Sequence, residues 1–135
     1  MNKSENVIKK IEALMVDQHF NEALKLIEAN SDDISKKEYH YLKSVLCRYL
    51  NHTHEALISL DKLIQLDPSY GRAFQEFGHN FIKTDPKKSL KAYLRAVRHN
   101  PSLQASWLGI LSVETENTVL IDYVQENIMY LKSAA

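Results

Sequence analysis

The chain has 135 residues, of which 44% are apolar and 25% charged, and its seventeen basic side chains balance seventeen acidic ones. That length suits one domain with a modest core, and the neutral balance lends no support to a nucleic-acid or membrane-surface role. Three glycines and three prolines are too few for a turn-rich all-β fold, so helices are expected.

The first stretch, "MNKSENVIKKIEALM", lacks the continuous apolar run of a secretory leader. No segment approaches the ~18 apolar residues that cross a bilayer, so a cytoplasmic location is expected. Helices are predicted over 4–16 and 20–30. "KKEYHYLKSVLCRYL" puts Tyr39, Leu42, Leu46 and Tyr49 on one face and predicts a helix over 36–50. Cys47 falls inside this pattern. It is the single cysteine, so no disulfide forms within the chain, and it reads as a small buried hydrophobe.

"HEALISLDKLIQL" predicts a helix over 53–66, with Thr53 as its N-cap and Glu55 in its first turn. The next helix is expected over 69–83. "PKKSLKAYLRAV" predicts another over 86–99, with Asp85 capping and proline at a first-turn position that needs no N–H donor. Helices over 102–115 and 118–132 complete the chain. The breaks "LDPS" and "HNPS" hold Asp67 and Asn100 out of the helical region, and Ser69 and Ser102 are expected to cap the helices over 69–83 and 102–115. The intervening loops are short, which predicts antiparallel neighbours.

A shift of 33 residues brings the sequence onto itself. Pro68 falls on Pro101. Tyr41 falls on Phe74 and then on Trp107. Ala23 falls on Ala56 and then on Ser89, and Leu60 falls on Tyr93. A helix pair recurring at that period predicts an all-α fold: an α-solenoid of about four antiparallel pairs, each burying its apolar stripe on the next.

These positions resemble the tetratricopeptide repeat, with a large residue early in the first helix, small residues where two helices meet, and a closing proline. The third unit carries Phe74, Gly78, Ser89, Tyr93, Ala96 and Pro101. The second carries Tyr41, Ser44, Ala56, Leu60, Leu63 and Pro68. Units are expected at about 4–36, 37–70, 71–103 and 104–135 of a single repeat domain, the first and last degenerate. Ankyrin repeats share the period but lack a match to their TPLH signature here. RNA-reading pentatricopeptide repeats are usually basic, unlike this chain. "FQEFGHNF" and "AYLRAVRHNPSLQASW" also resemble the N-terminal repeat region of bacterial sulfotransferases, which implies an accessory domain of such an enzyme as an alternative role.

The sequence offers little chemistry. Its glycines are scattered, with no phosphate-binding loop or dinucleotide fingerprint, so no cofactor is expected. His52, His54 and Glu55 diverge across a helix start and lack the spacing of a zinc motif, so no metal and no enzymatic activity are expected. What remains is surface. The resemblance implies a concave groove that takes a peptide or protein partner, lined by Tyr41, Val45, Arg48 and Tyr49 in the second unit and by Arg72, Gln75, His79 and Lys83 in the third. Ile8 and Glu12 occupy the first unit's groove positions, and Glu76 stands where an arginine would help, so the carboxylate clamp of chaperone-binding members is not expected. The predicted last helix is apolar over an arc of about 200°. Val119, Tyr123 and Tyr130 on that arc form a candidate assembly surface for a second copy, another protein or a further domain, since a terminal helix ordinarily turns a polar face outward. The charge is segregated: residues 72–99 carry seven basic and two acidic side chains, residues 100–135 one basic and four acidic. Solvated helix faces account for such runs.

Overall fold

The computed structural model describes residues 2–134, and among these the secondary structure is helical with no strand. Eight α-helices run in chain order: α1 (Lys3–Val16), α2 (Phe20–Ala29), α3 (Lys36–Tyr49), α4 (Thr53–Leu66), α5 (Gly71–Phe81), α6 (Pro86–His99), α7 (Gln104–Val113) and α8 (Thr118–Ala134). A short 3-10 turn, Ser31–Asp33, precedes α3. No helix is long and apolar enough to cross a membrane among the described residues. The chain divides into two compact units, Met1–Pro68 and Ser69–Ala135. The division falls within the first of the two "PS" breaks.

In unit 1, α1 packs on α2, α2 on α3 and α3 on α4. Its core joins Val7 and Ile11 of α1, Ala23 and Ile27 of α2, and Leu42 and Leu46 of α3. Leu60 and Leu63 of α4 are fully buried. In unit 2, α5 packs on α6, α6 on α7 and α7 on α8, with a further contact between α5 and α7. Tyr93, Val97, Trp107, Ile110, Val124 and Ile128 form its core. Small residues stand where helices approach: Ser44, Ala56 and Ser89 are fully buried, and the Ser89 hydroxyl donates to the Gly78 carbonyl on the neighbouring helix at 2.8 Å.

The helix starts correct part of the capping expectation. Asp85 does cap α6, accepting from the Lys88 amide at 3.2 Å, with Pro86 in the first turn. Thr53 is not a cap: it is the first helical residue, and His52 holds the cap position without a side-chain bond. Ser69 and Ser102 do not cap either. Residues 68–69 and 101–102 form turns, and α5 and α7 start two residues later than expected, after Tyr70 and Leu103. At the second break the reason is visible. The Asn100 side chain accepts from both the Ser102 amide (3.1 Å) and its hydroxyl (2.6 Å), a local turn that competes with the helix for those groups.

The ends of α1 and α3 share one geometry, 33 residues apart. Gln18 and Asn51 both have φ of 62°. The His19 amide donates to the Leu14 carbonyl and the Gln18 amide to Met15. His52 to Cys47 and Asn51 to Arg48 repeat the pattern. This is the Schellman closure, which favours glycine at the left-handed position. Gln18→Gly should therefore stabilise unit 1 by about 1 kcal/mol, because glutamine bears a steric cost there that glycine lacks. Urea unfolding monitored by circular dichroism measures the gain. A loss of stability would show that the glutamine side chain compensates for its backbone.

Candidate functional site

The residues expected to line a groove sit on α3 in unit 1 and on α5 and the turn after it in unit 2. On α3, Tyr41 and Arg48 are half-buried and Val45 is buried at 7% exposure, leaving Val45 little surface for a partner. Tyr49 is 50% exposed. Its ring stacks on Phe20 of α2 at 4.7 Å, nearly coplanar, and the Arg48 guanidinium lies over it at 4.5 Å. Phe20 and Arg48 thereby hold that ring in place.

On α5 the four residues divide. Arg72 is exposed, as is Lys83 just beyond the helix end. Gln75 accepts a hydrogen bond from the fully buried Ser106 hydroxyl of α7 at 2.7 Å. His79 Nδ1 lies 2.6 Å from the Tyr93 hydroxyl of α6, with the two rings edge to face. Gln75 and His79 are thus half-buried clasps that fasten α5 to α7 and to α6. Spacing alone could not reveal this, since Ser106 and Gln75 are 31 residues apart. Tyr93, only 1% exposed, cannot offer its hydroxyl to a substrate.

A second polar cluster, not anticipated from the sequence, lies in unit 1. The Tyr39 hydroxyl donates to Glu28 at 2.8 Å, and the Lys43 ammonium lies 3.1 Å from the same carboxylate. Burial pushes the Glu28 carboxyl up, but the Tyr39 hydroxyl and Lys43 outweigh it and hold the group below 4.5. Tyr39, His40 and Lys43 of α3 and Glu55, Ile58, Ser59 and Lys62 of α4 line a cleft of about 200 Å³. His40 Nδ1 is buried without a hydrogen-bond partner.

Burial, and then the cations of Lys62, Lys43 and Lys36, keep the His40 imidazole below its ordinary 6.5. A histidine held neutral by the fold contributes its full stability above the unfolded value of 6.5, and that contribution is lost as pH falls toward the lowered folded value. Glu28 acts only below 4.5, outside this window. Unit 1 should therefore lose stability between about pH 7 and pH 5, and His40→Gln should lose less over the same interval. Urea midpoints at the two pH values test this, and equal losses in both proteins would remove His40 as the cause.

At the start of α4, His52 Nδ1 stands 3.7 Å from the Glu55 carboxylate, with both side chains exposed. No group of three or more His, Cys, Asp or Glu side chains gathers at metal-binding distance among the described residues.

The candidate assembly surface is on α8. Val124 and Ile128 face the core, while Val119 (78%), Tyr123 (56%), Met129 (70%) and Tyr130 (69%) are exposed. Tyr123 meets Trp107 of α7 edge to face at 5.8 Å. Tyr130 and Leu131 join residues 100–102 around a cleft of about 320 Å³, so the end of α8 lies beside the beginning of α7 and the two helices run antiparallel.

Together these features define a class: an all-helical protein of two units, within each of which neighbouring helices pack on one another, with large side chains left bare on α8. The sequence matches no protein-family model and no curated protein.

Proposed function

We propose that the chain is a non-catalytic protein-interaction module of the tetratricopeptide-repeat type, with its helices stacked as a right-handed solenoid of about four pairs. It takes a peptide or partner protein through groove residues on α3 and α5, and assembles through α8. The observation that carries this reading is the exposed apolar face of α8, since such faces on folded domains mark association sites. The 33-residue recurrence of the helix-closing turn at Gln18 and Asn51 supports the repeat assignment. Arg72 and Lys83 are exposed cations suited to an acidic or carboxylate-bearing peptide, with Tyr49 as a fixed aromatic surface in unit 1.

Crosslinked capture from lysate tests the reading, using wild type, Arg72→Glu/Lys83→Glu and Tyr123→Ser/Tyr130→Ser. At least one heterologous protein should be recovered with wild type and depleted about tenfold, some 1.4 kcal/mol, by one of the two variants. Recovery that is equal for all three removes both surfaces from the proposal. His79 and Gln75 are left intact because their replacement would loosen the fold.

A further inference from the structure

Unit 2 carries two exposed stripes of opposite character. On α6, Lys87, Lys91, Arg95 and Arg98 recur at i, i+4, i+8 and i+11 and share one exposed face. None of the four forms a salt bridge among the described residues. Arg95 is braced over the Phe74 ring at 4.7 Å. On α8, Val119, Tyr123, Glu126 and Tyr130 recur at i, i+4, i+7 and i+11, also exposed. Each stripe spans about 16 Å at the helical rise of 1.5 Å per residue.

We infer that the occupant of the α8 stripe is a second copy of this chain, with α8 of one copy lying antiparallel along α6 of the next. This rests on the reading of the protein as an interaction module that assembles through α8, and it supplies the missing receptor. In that register Tyr123 meets Arg95, Glu126 meets Lys91, Tyr130 meets Lys87, and Val119 lies along the stem of Arg98. Each aromatic ring thus receives a cation over its face, and the one acid on the stripe receives a lysine. The pairing buries large apolar side chains against the long alkyl stems of lysine and arginine, which cover apolar surface well.

Charge complementarity selects this arrangement over α8 against α8. Within α8, Asp122 and Glu126 are acidic and Lys132 is the one basic residue, so a second α8 offers a single cation, whereas the α6 stripe is wholly basic. The zero net charge of the chain removes the overall repulsion that keeps many proteins apart. The contact is heterologous: the donor surface of a copy stays free when its receptor is filled, so association continues beyond a dimer unless the geometry closes a ring. A single pair of helices lies at the low end of specific interfaces, below about 1,200 Å², so the association is weak and salt-sensitive.

Sedimentation velocity over a concentration series tests the inference with the whole chain. Wild type should show a weight-average mass that climbs past that of a dimer, and in about 1 M salt, where the screening length is about 3 Å, it should fall toward the monomer. Lys87→Glu/Lys91→Glu/Arg98→Glu, and separately Glu126→Lys/Tyr130→Lys, should each weaken self-association at least tenfold while circular dichroism stays helical. An equimolar mixture of the two variants should form a one-to-one complex and stop there, because the first retains the donor stripe and the second the receptor. Three results would overturn the inference: a wild type that is monomeric throughout, an α6 variant that associates as wild type does, or a mixture that remains monomeric. A monomeric wild type would leave capture of a foreign peptide by the groove untouched. An α6 variant that still associates would point to α8 pairing with itself.

Discussion

Trp107→Ala should destabilise unit 2 by about 3–5 kcal/mol, the usual cost of emptying a large aromatic site. For a unit of this size that lowers the melting temperature by roughly 15 °C or more. Trp107 is 3% exposed and belongs to the core that joins α6, α7 and α8. Its indole N–H donates to the Pro101 carbonyl at 2.8 Å, and its ring meets Tyr123. Trp107→Phe separates the two contributions. It keeps an aromatic ring in the core but leaves the Pro101 carbonyl without the indole donor, for a loss nearer about 1–2 kcal/mol. Far-UV circular dichroism is the appropriate readout, because the substitution removes the chain's one tryptophan. A neutral Trp107→Ala would mean that α7 and α8 do not depend on this ring for their packing.

Gly109→Ala should also destabilise, against the usual direction of that change. Within a helix, alanine ordinarily gains about 0.5–1 kcal/mol over glycine. Here a methyl on Gly109 would meet the Tyr93 ring at 2.5 Å, and a methyl on Gly78 would meet the opposite edge of the same ring at 2.5 Å. Tyr93 is 1% exposed and held at its hydroxyl by His79, so it cannot retreat from either side. Overpacking of that kind costs about 1–3 kcal/mol, which exceeds the propensity gain and sets the sign. Gly78 on α5 and Gly109 on α7 leave the space the ring occupies. In a Tyr93→Leu background the same Gly109→Ala change should become neutral or stabilising, a strong non-additivity between touching residues. If Gly109→Ala costs the same in both backgrounds, the ring is not what excludes the methyl.

The helices are legible in the sequence because their information is local and periodic. Tyr39, Leu42 and Leu46 recur on one face of α3, and Pro86 after Asp85 marks the start of α6 with its cap. The start of α7 lies two residues beyond the expected one because the Asn100 turn takes the groups a cap would use, and α5 starts as late, after the turn at residues 68–69. The closing turns at Gln18 and Asn51 are silent in the sequence because neither carries the glycine that usually announces a left-handed residue. The polar clasps are out of reach for a different reason. Gln75 with Ser106, His79 with Tyr93, and Glu28 with Tyr39 are defined by which helix faces which, and no periodicity encodes that. Hence Gln75 and His79 resemble groove residues from their place on α5, although their polar atoms are engaged within unit 2. Val45 likewise has the right register and is buried.

The distribution of two singular residues has a practical consequence. Cys47, the one thiol, is fully buried in unit 1. Burial, with the Glu55 charge adding to it, pushes that thiol up, away from the reactive thiolate. The one tryptophan lies in the core of unit 2. Each half of the molecule therefore carries its own intrinsic reporter: alkylation of the thiol times the opening of the first, and indole fluorescence tracks the second. Whether the halves melt together or in succession can be read from the unaltered protein, by comparing two clocks that sit in separate cores.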